Sequence, residues 1–235
     1  MSSNIGRGGT AEGAETRERI LRAAEILLAQ QGIDGVSLRE VNRAAGQNNT
    51  GAVQYYFGDR SGLVKAVIAR HRSDDELRRQ TLLDAYERVG RADLPGLASA
   101  LVMPLAAKLG DPDGGREYLR ISAEYYLRAP LEELRHHPVP DASFERWCGL
   151  LQPLVPDQDK VTAVQYPAIR FTLMELSRRA VTPAGGDDQL FASHLTDMVA
   201  ALLGARPSPG TARLVASRIS RSLVRRAAQR GESAG

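Results

Sequence analysis

Cysteine is almost absent from this chain. The single Cys148 among 235 residues can neither close an internal disulfide nor supply a thiolate cluster for zinc, which fits a reducing compartment. Aromatic residues make up only 5% and β-branched runs are few, while Ala, Leu, Arg and Glu dominate. Side-chain entropy and backbone propensity then favour helix over sheet. Long hydrophobic runs are missing as well. The longest nearly unbroken one, Met198 to Leu203, falls far short of the roughly 20 residues that span a bilayer. The opening stretch, Met1 to Glu15, has no apolar segment of the kind a signal peptide or anchor requires. These absences predict an all-α, cytoplasmic chain with no membrane partner, and they make residues 1–15 a flexible arm.

Catalytic signatures are equally sparse. There is no glycine-rich phosphate loop, nucleophile elbow or zinc-binding spacing. His136 and His137 are adjacent and cannot face one metal from a helix, and His71 and His194 are remote from them. No catalytic residue, metal site or cofactor is expected, and an enzyme is disfavoured.

What is present bounds the remainder. Hydrophobic residues at 43% and charged ones at 25% describe an ordinary folded chain, long enough for one small and one medium domain. The net charge of +3 is unevenly spread. Residues 1–72 hold ten basic and seven acidic side chains, residues 73–205 hold fourteen and twenty, and residues 206–235 hold seven and one. Basic ends around an acidic middle suit a polyanion partner, although ordinary surface charge explains them as well.

The informative stretch begins at Thr16. Ile20, Ala23, Ala24, Leu27 and Leu28 recur at helical spacing, with Arg17, Glu18, Arg22 and Glu25 set largely elsewhere, and Gly32 ends this amphipathic helix. Ser37 and Glu40 have the spacing of a capping box, and Val36 and Val41 that of a hydrophobic staple, so a second helix starts at about Leu38. Gly46 stops it after some two turns, and Gln47-Asn48-Asn49 makes a turn with Asn49 or Thr50 as the next N-cap. A third helix, from about Gly51 to Phe57, is too short to bury every face. With Ala52, Val53 and Phe57 turned inward, Asn49, Thr50, Gly51, Gln54, Tyr55 and Tyr56 remain available outside. Amides read base edges and tyrosine hydroxyls reach phosphates. The other reading makes Tyr55, Tyr56 and Phe57 core aromatics closing a helical hairpin, and Phe57 fits it best.

Ser37-Leu38-Arg39-Glu40-Val41, then Ala45-Gly46, then Thr50 through Arg60 resembles the DNA-binding region of the TetR family of bacterial repressors. The resemblance covers about residues 16–70; beyond them only length and helical character agree. It implies a three-helix helix-turn-helix domain over 16–60 and a larger helical ligand-binding and dimerisation domain over 61–205; the charge count separately marks 206–235 as a basic tail. It also implies that Asn49, Thr50, Gly51, Gln54 and Tyr55 face the major groove of an operator, while Ser37, Arg39, Tyr56 and Arg60 hold phosphates. Asn42 and Gln47 depart from the alanine and apolar residue common there. Both polar residues are expected to weaken the small core between the second and third helices.

Past Arg60 the pattern predicts one long helix or two joined near Ser73, then helices from about Leu97, Arg116, Phe144, Gln158 and Asp187, with Pro104 and Pro167 as expected bends. In the resembled family the last two long helices pair with a second copy. The apolar positions from Leu190 to Leu203 would serve a homodimer, or else an internal core. Met103, Tyr118, Tyr125, Phe144, Trp147, Phe171 and Met174 are candidate contacts for a small-molecule effector, although each also suits plain core. The tail carries Arg213, Arg218, Arg221, Arg225 and Arg226 among apolar residues, to touch DNA, an acidic patch or nothing. A non-sensing architectural DNA binder and a helical interaction module are the rival readings.

Overall fold

In the computed structural model, residues 5–47, 51–128, 142–155, 158–182, 187–206, 208–214 and 217 are described, and no strand occurs among them. Helix α1 spans Ile5–Gln31, α2 Leu38–Ala44, α3 Ala52–Phe57 and α4 Arg60–Val89. Then come α5 Leu94–Ala106, α6 Gly115–Arg128, α7 Ala142–Leu151, α8 Gln158–Ala180 and α9 Asp188–Leu203. None of the described helices is long and apolar enough to cross a membrane.

Local rules account for most of these boundaries. Gly32 takes the left-handed conformation (φ 80°) that a β-carbon would resist, and its N–H reaches the Leu28 carbonyl. Asp59 caps α4 by accepting from the Gly62 N–H at 2.8 Å, and Asp93 does the same for α5 through Gly96 at 2.8 Å. Pro95 occupies the first turn of α5, where its missing N–H costs nothing. The interior prolines break neither helix. The α5 helix runs through Pro104 to Ala106 before tightening into a 3-10 turn, and α8 continues past Pro167. The segment expected to divide near Ser73 is one thirty-residue helix.

The start of α1 differs from expectation. Helix begins at Ile5, within the stretch assigned to a flexible arm. Ala11, Glu12, Ala14 and Glu15 are good helix formers, and prolonging a nucleated helix is far cheaper than starting one.

Met1–Leu203 form one compact unit and Gly204–Gly235 a second. In the second, residues 209–214 are helical and the Ser208 hydroxyl accepts from the Thr211 N–H at 3.2 Å. Arg218, Arg221, Arg225 and Arg226 lie outside the described residues. Within the first unit, Ile20, Leu28, Val41, Val53 and Leu63 belong to the same continuous core as Leu97, Leu101, Leu119, Leu173 and Leu195. The N-terminal helices therefore share a core with the larger domain.

That seam also carries charge. Glu25, expected on the outer face of α1, is only 3% exposed. His71 Nε2 donates to its carboxylate at 2.5 Å, and Arg70 Nη1 donates to it at 3.0 Å. Arg70 also reaches Glu18 at 2.9 Å and Asp113 at 2.5 Å, bridging α1 to the turn before α6. One helical turn further along α4, Asp75 is buried and accepts from the Tyr118 hydroxyl at 2.6 Å. Lys108, also buried, pairs with Asp74 at 2.8 Å and Asp111 at 3.1 Å.

Burial pushes the Asp75 carboxyl up to about 6, against the opposing pull of the Tyr118 hydrogen bond and the Lys108 charge. The folded chain thus keeps a proton that the unfolded chain releases near pH 4. This contribution to stability is fully present below pH 4 and is lost as pH rises through about 6. Relative to Asp75→Asn, the natural protein should lose on the order of 3 kcal/mol of stability between pH 4 and 7. Urea unfolding at both ends of that range measures it, and parallel pH profiles for the two proteins would contradict the assignment.

Candidate nucleic-acid interface

The capping box forms as expected. The Ser37 N–H donates to Glu40 Oε2 at 2.8 Å, and the Glu40 N–H donates back to Ser37 Oγ at 3.2 Å. These bonds from the Ser37 backbone and hydroxyl hold the Glu40 carboxyl below its ordinary range. Val36 and Val41 are both buried, as a staple requires.

Asn42 does the opposite of what its polarity predicts. It is 2% exposed, and its Oδ1 accepts from the Val53 N–H at 3.2 Å. That N–H is one of the amides that a helix N-terminus leaves without an intrahelical partner. A satisfied buried amide thus ties α2 to α3 and sets the angle between them, where alanine would offer only contact. Gln47 completes the turn, its N–H donating to the Asn42 carbonyl at 2.9 Å and its Nε2 to the Ala45 carbonyl at 3.2 Å.

On this footing α3 buries Ala52 and Val53 and turns Gln54 and Tyr55 outward. Tyr55 is 83% exposed, the most exposed of the large hydrophobic side chains among the described residues. Burial would be worth roughly 2 kcal/mol for such a ring, so no packing force explains its position. Tyr56 is half-buried, edge-on to Tyr55 at 5.0 Å, with its hydroxyl 3.5 Å from where a side chain on Gly13 of α1 would begin. Phe57 packs against the core, and the Arg17 guanidinium lies 5.2 Å from its ring centre. The short helix therefore has one wet edge and one dry edge.

The other expected contacts vary. Arg39 is exposed and Gly51 half-exposed at the N-cap of α3. Arg60 is turned back, donating to the Asp34 carbonyl at 3.3 Å, and the Ser37 hydroxyl donates to Glu40 at 2.7 Å. A phosphate would have to displace both of these internal partners. Asn49 and Thr50 lie outside the described residues.

The candidate effector contacts fall into separate environments. Tyr118 is buried, stacked on His71 at 4.6 Å, and its hydroxyl is committed to Asp75. Trp147 is fully buried, donates to the Leu97 carbonyl at 2.8 Å and stacks on the half-buried Phe144 at 5.5 Å. Tyr125 is buried edge-on to Tyr126, and Phe171 is half-buried. Met103 and Met174 are at the surface, 37% and 40% exposed. Sequence reasoning missed the buried Glu25, Asp75 and Lys108. Their only signal was acidic or basic residues within otherwise apolar helical phases, which snorkelling side chains also produce.

Residues 20–67, which contain α2, α3 and the capping pair, match the model of the bacterial regulatory proteins of the tetR family. Over these residues the chain is similar to the TetR family. A curated relative, the HTH-type transcriptional repressor BepR of Brucella suis, is 38% identical over 66 residues, or 28% of this chain. The matched segment covers 31% of that repressor, about a third of its length. Among solved structures, a regulatory protein of the tetR family from Rhodococcus RHA1 aligns over 82% of this chain and 98% of its own, with TM-score 0.52 and 15% identity. NalD, the secondary repressor of the MexAB-OprM efflux pump in Pseudomonas aeruginosa, aligns over 80% and 95%, with TM-score 0.51 and 21% identity. At these identities the structural likeness speaks for the fold. The TetR fold thus extends through the larger helical domain, well beyond residues 20–67.

Proposed function

We propose that this chain is a DNA-binding transcriptional regulator that acts as a repressor. As a homodimer it sets one α3 per subunit into successive major grooves of a palindromic operator, and a small molecule releases it. The observation that carries the reading is the outward Gln54 and Tyr55 on a helix clamped by Asn42. An amide that can both donate and accept stands exposed on a helix whose start is tied to α2, which suits base-edge reading. Arg39 is exposed on α2, Gly51 stands at the N-cap of α3, and Asn49 and Thr50 precede it in the chain.

Dimerisation draws support from α9. Among its apolar residues, Ala192, Leu195, Val199 and Leu203 are buried within the subunit and Phe191 and Leu202 half-buried, while Leu190 and Met198 stay 51% and 45% exposed. A second copy would cover the exposed set.

Selection of bound fragments from random duplex DNA tests the reading directly. The expected product is an inverted repeat whose half-sites are centred about 10 base pairs, or a multiple of that, apart. Enrichment of a single unrepeated site would remove the dimeric operator. No enrichment at all would leave the interaction module as the better account.

A further inference from the structure

Between the last turn of α1, the middle of α6 and the C-terminal half of α8 lies an open cleft of about 590 Å³. That size is ordinary for a small-molecule site. Its walls are apolar: Leu28 and Ala123 lie deep, while Leu127 and Met174 stay 57% and 40% exposed at the edge. Of the six polar side chains that reach it, three are cationic. Arg120, Arg128 and Arg178 line the cleft with a single carboxylate, Glu124.

These charges are not equally occupied. Glu124 is committed, accepting from the Ile33 N–H at 3.1 Å and from Arg128 at 2.8 Å. Arg128 also pairs with Asp34. Arg178 is largely solvent-exposed, with Glu175 at 3.4 Å. Arg120 is half-buried and makes no hydrogen bond or ion pair among the described residues. An apolar trough with a guanidinium that has no partner among the described residues is complementary to an amphipathic anion, because a carboxylate matches the guanidinium fork and a hydrocarbon body covers the exposed leucine and methionine.

We propose that this cleft binds an amphipathic organic anion, a carboxylate on an apolar chain or ring, with Arg120 as its anchoring cation. Of the residues expected from sequence to contact an effector, Met174 alone lines this cleft. The wall formed by α6 is the same stretch that grips the turn after α1, through Glu124 to Ile33 and Arg128 to Asp34. A bound carboxylate that draws on Arg128 competes with Asp34 and loosens that grip. Binding thereby favours a different seating of the N-terminal helices. This last consequence rests on the DNA-binding reading; the binding itself does not.

Calorimetric titration of the full chain with decanoate and 1-naphthoate, with decanol as the uncharged control, tests the site without DNA. At least one of the two acids should bind while decanol binds at least tenfold more weakly. Arg120→Glu should weaken the acid at least tenfold, and Ala123→Trp, which fills the trough, should abolish binding. Arg120→Glu should keep the thermal midpoint of the natural protein, because Arg120 makes no hydrogen bond or ion pair among the described residues; Ala123→Trp, at a position 6% exposed, lowers it without bearing on the Arg120 result. Failure of both acids to bind, equal binding of decanol, or indifference to Arg120→Glu overturns the proposal. So does a change in subunit association caused by Ala123→Trp without any acid binding, since the occupant is then a second copy of the chain. If an acid binds through Arg120 yet leaves operator affinity unchanged, the site stands and the release step of the proposed function falls.

Discussion

Replacing Gln54 and Tyr55 together with alanine should lower specific operator affinity at least a hundredfold while leaving the thermal midpoint within about 2 °C of the natural protein. The two side chains are exposed, so their removal costs little stability. A well-placed pair of contacts to a base is worth about 1–3 kcal/mol, and losing two such contacts spans the expected drop. Asn42→Ala supplies the contrast. It strips a buried acceptor from the Val53 N–H, at a cost of about 1–3 kcal/mol, and frees α3 to tilt. Stability and affinity should therefore fall together in that variant and separately in the first. Fluorescence anisotropy on the selected operator, beside thermal unfolding, distinguishes the two. Retention of full specificity by the double variant would show that the reading edge lies elsewhere.

Glu25→Ala should produce the largest loss of stability, roughly 3–5 kcal/mol, which for a chain of this size lowers the thermal midpoint by about 10 °C. The buried carboxylate accepts from both Arg70 and His71; without it the buried His71 loses its 2.5 Å partner, while Arg70 keeps only Glu18 and Asp113. Arg146→Ala is the control: its pairs with Asp84 and Glu87 lie at the surface, where an ion pair is worth about 0–1 kcal/mol. Equal effects of the two substitutions would mean that the seam between α1, α4 and α6 is wet. Because Arg70 also binds Glu18 of α1 and Asp113 before α6, the same variant should raise hydrogen exchange in α1 more than in α5.

Much of the candidate interface was legible in the sequence because its rules are local. A capping box needs only Ser37 and Glu40 three residues apart. The glycine stops at Gly32, Gly46 and Gly58 follow from backbone sterics alone, and all three take positive φ. The exposure of Gln54 and Tyr55 followed from a helix of six residues that cannot hide every side. The value of Asn42 was not legible. A polar residue at a crossing of helices is a flaw or a clamp according to what stands opposite it, and here the facing group is an amide eleven residues away.

By itself, then, the chain of letters settled the all-α character, the positions of most helix ends and the short aromatic helix, since each depends on neighbours within a few residues. Tertiary structure alone decided that Glu25 meets His71 forty-six positions away, that Tyr118 spends its hydroxyl on Asp75, and that Arg120 lines an apolar trough without a partner among the described residues. Burial and pairing of charge depend on which helices meet. Periodicity names the face of a helix that turns inward, and says nothing about which atoms wait there.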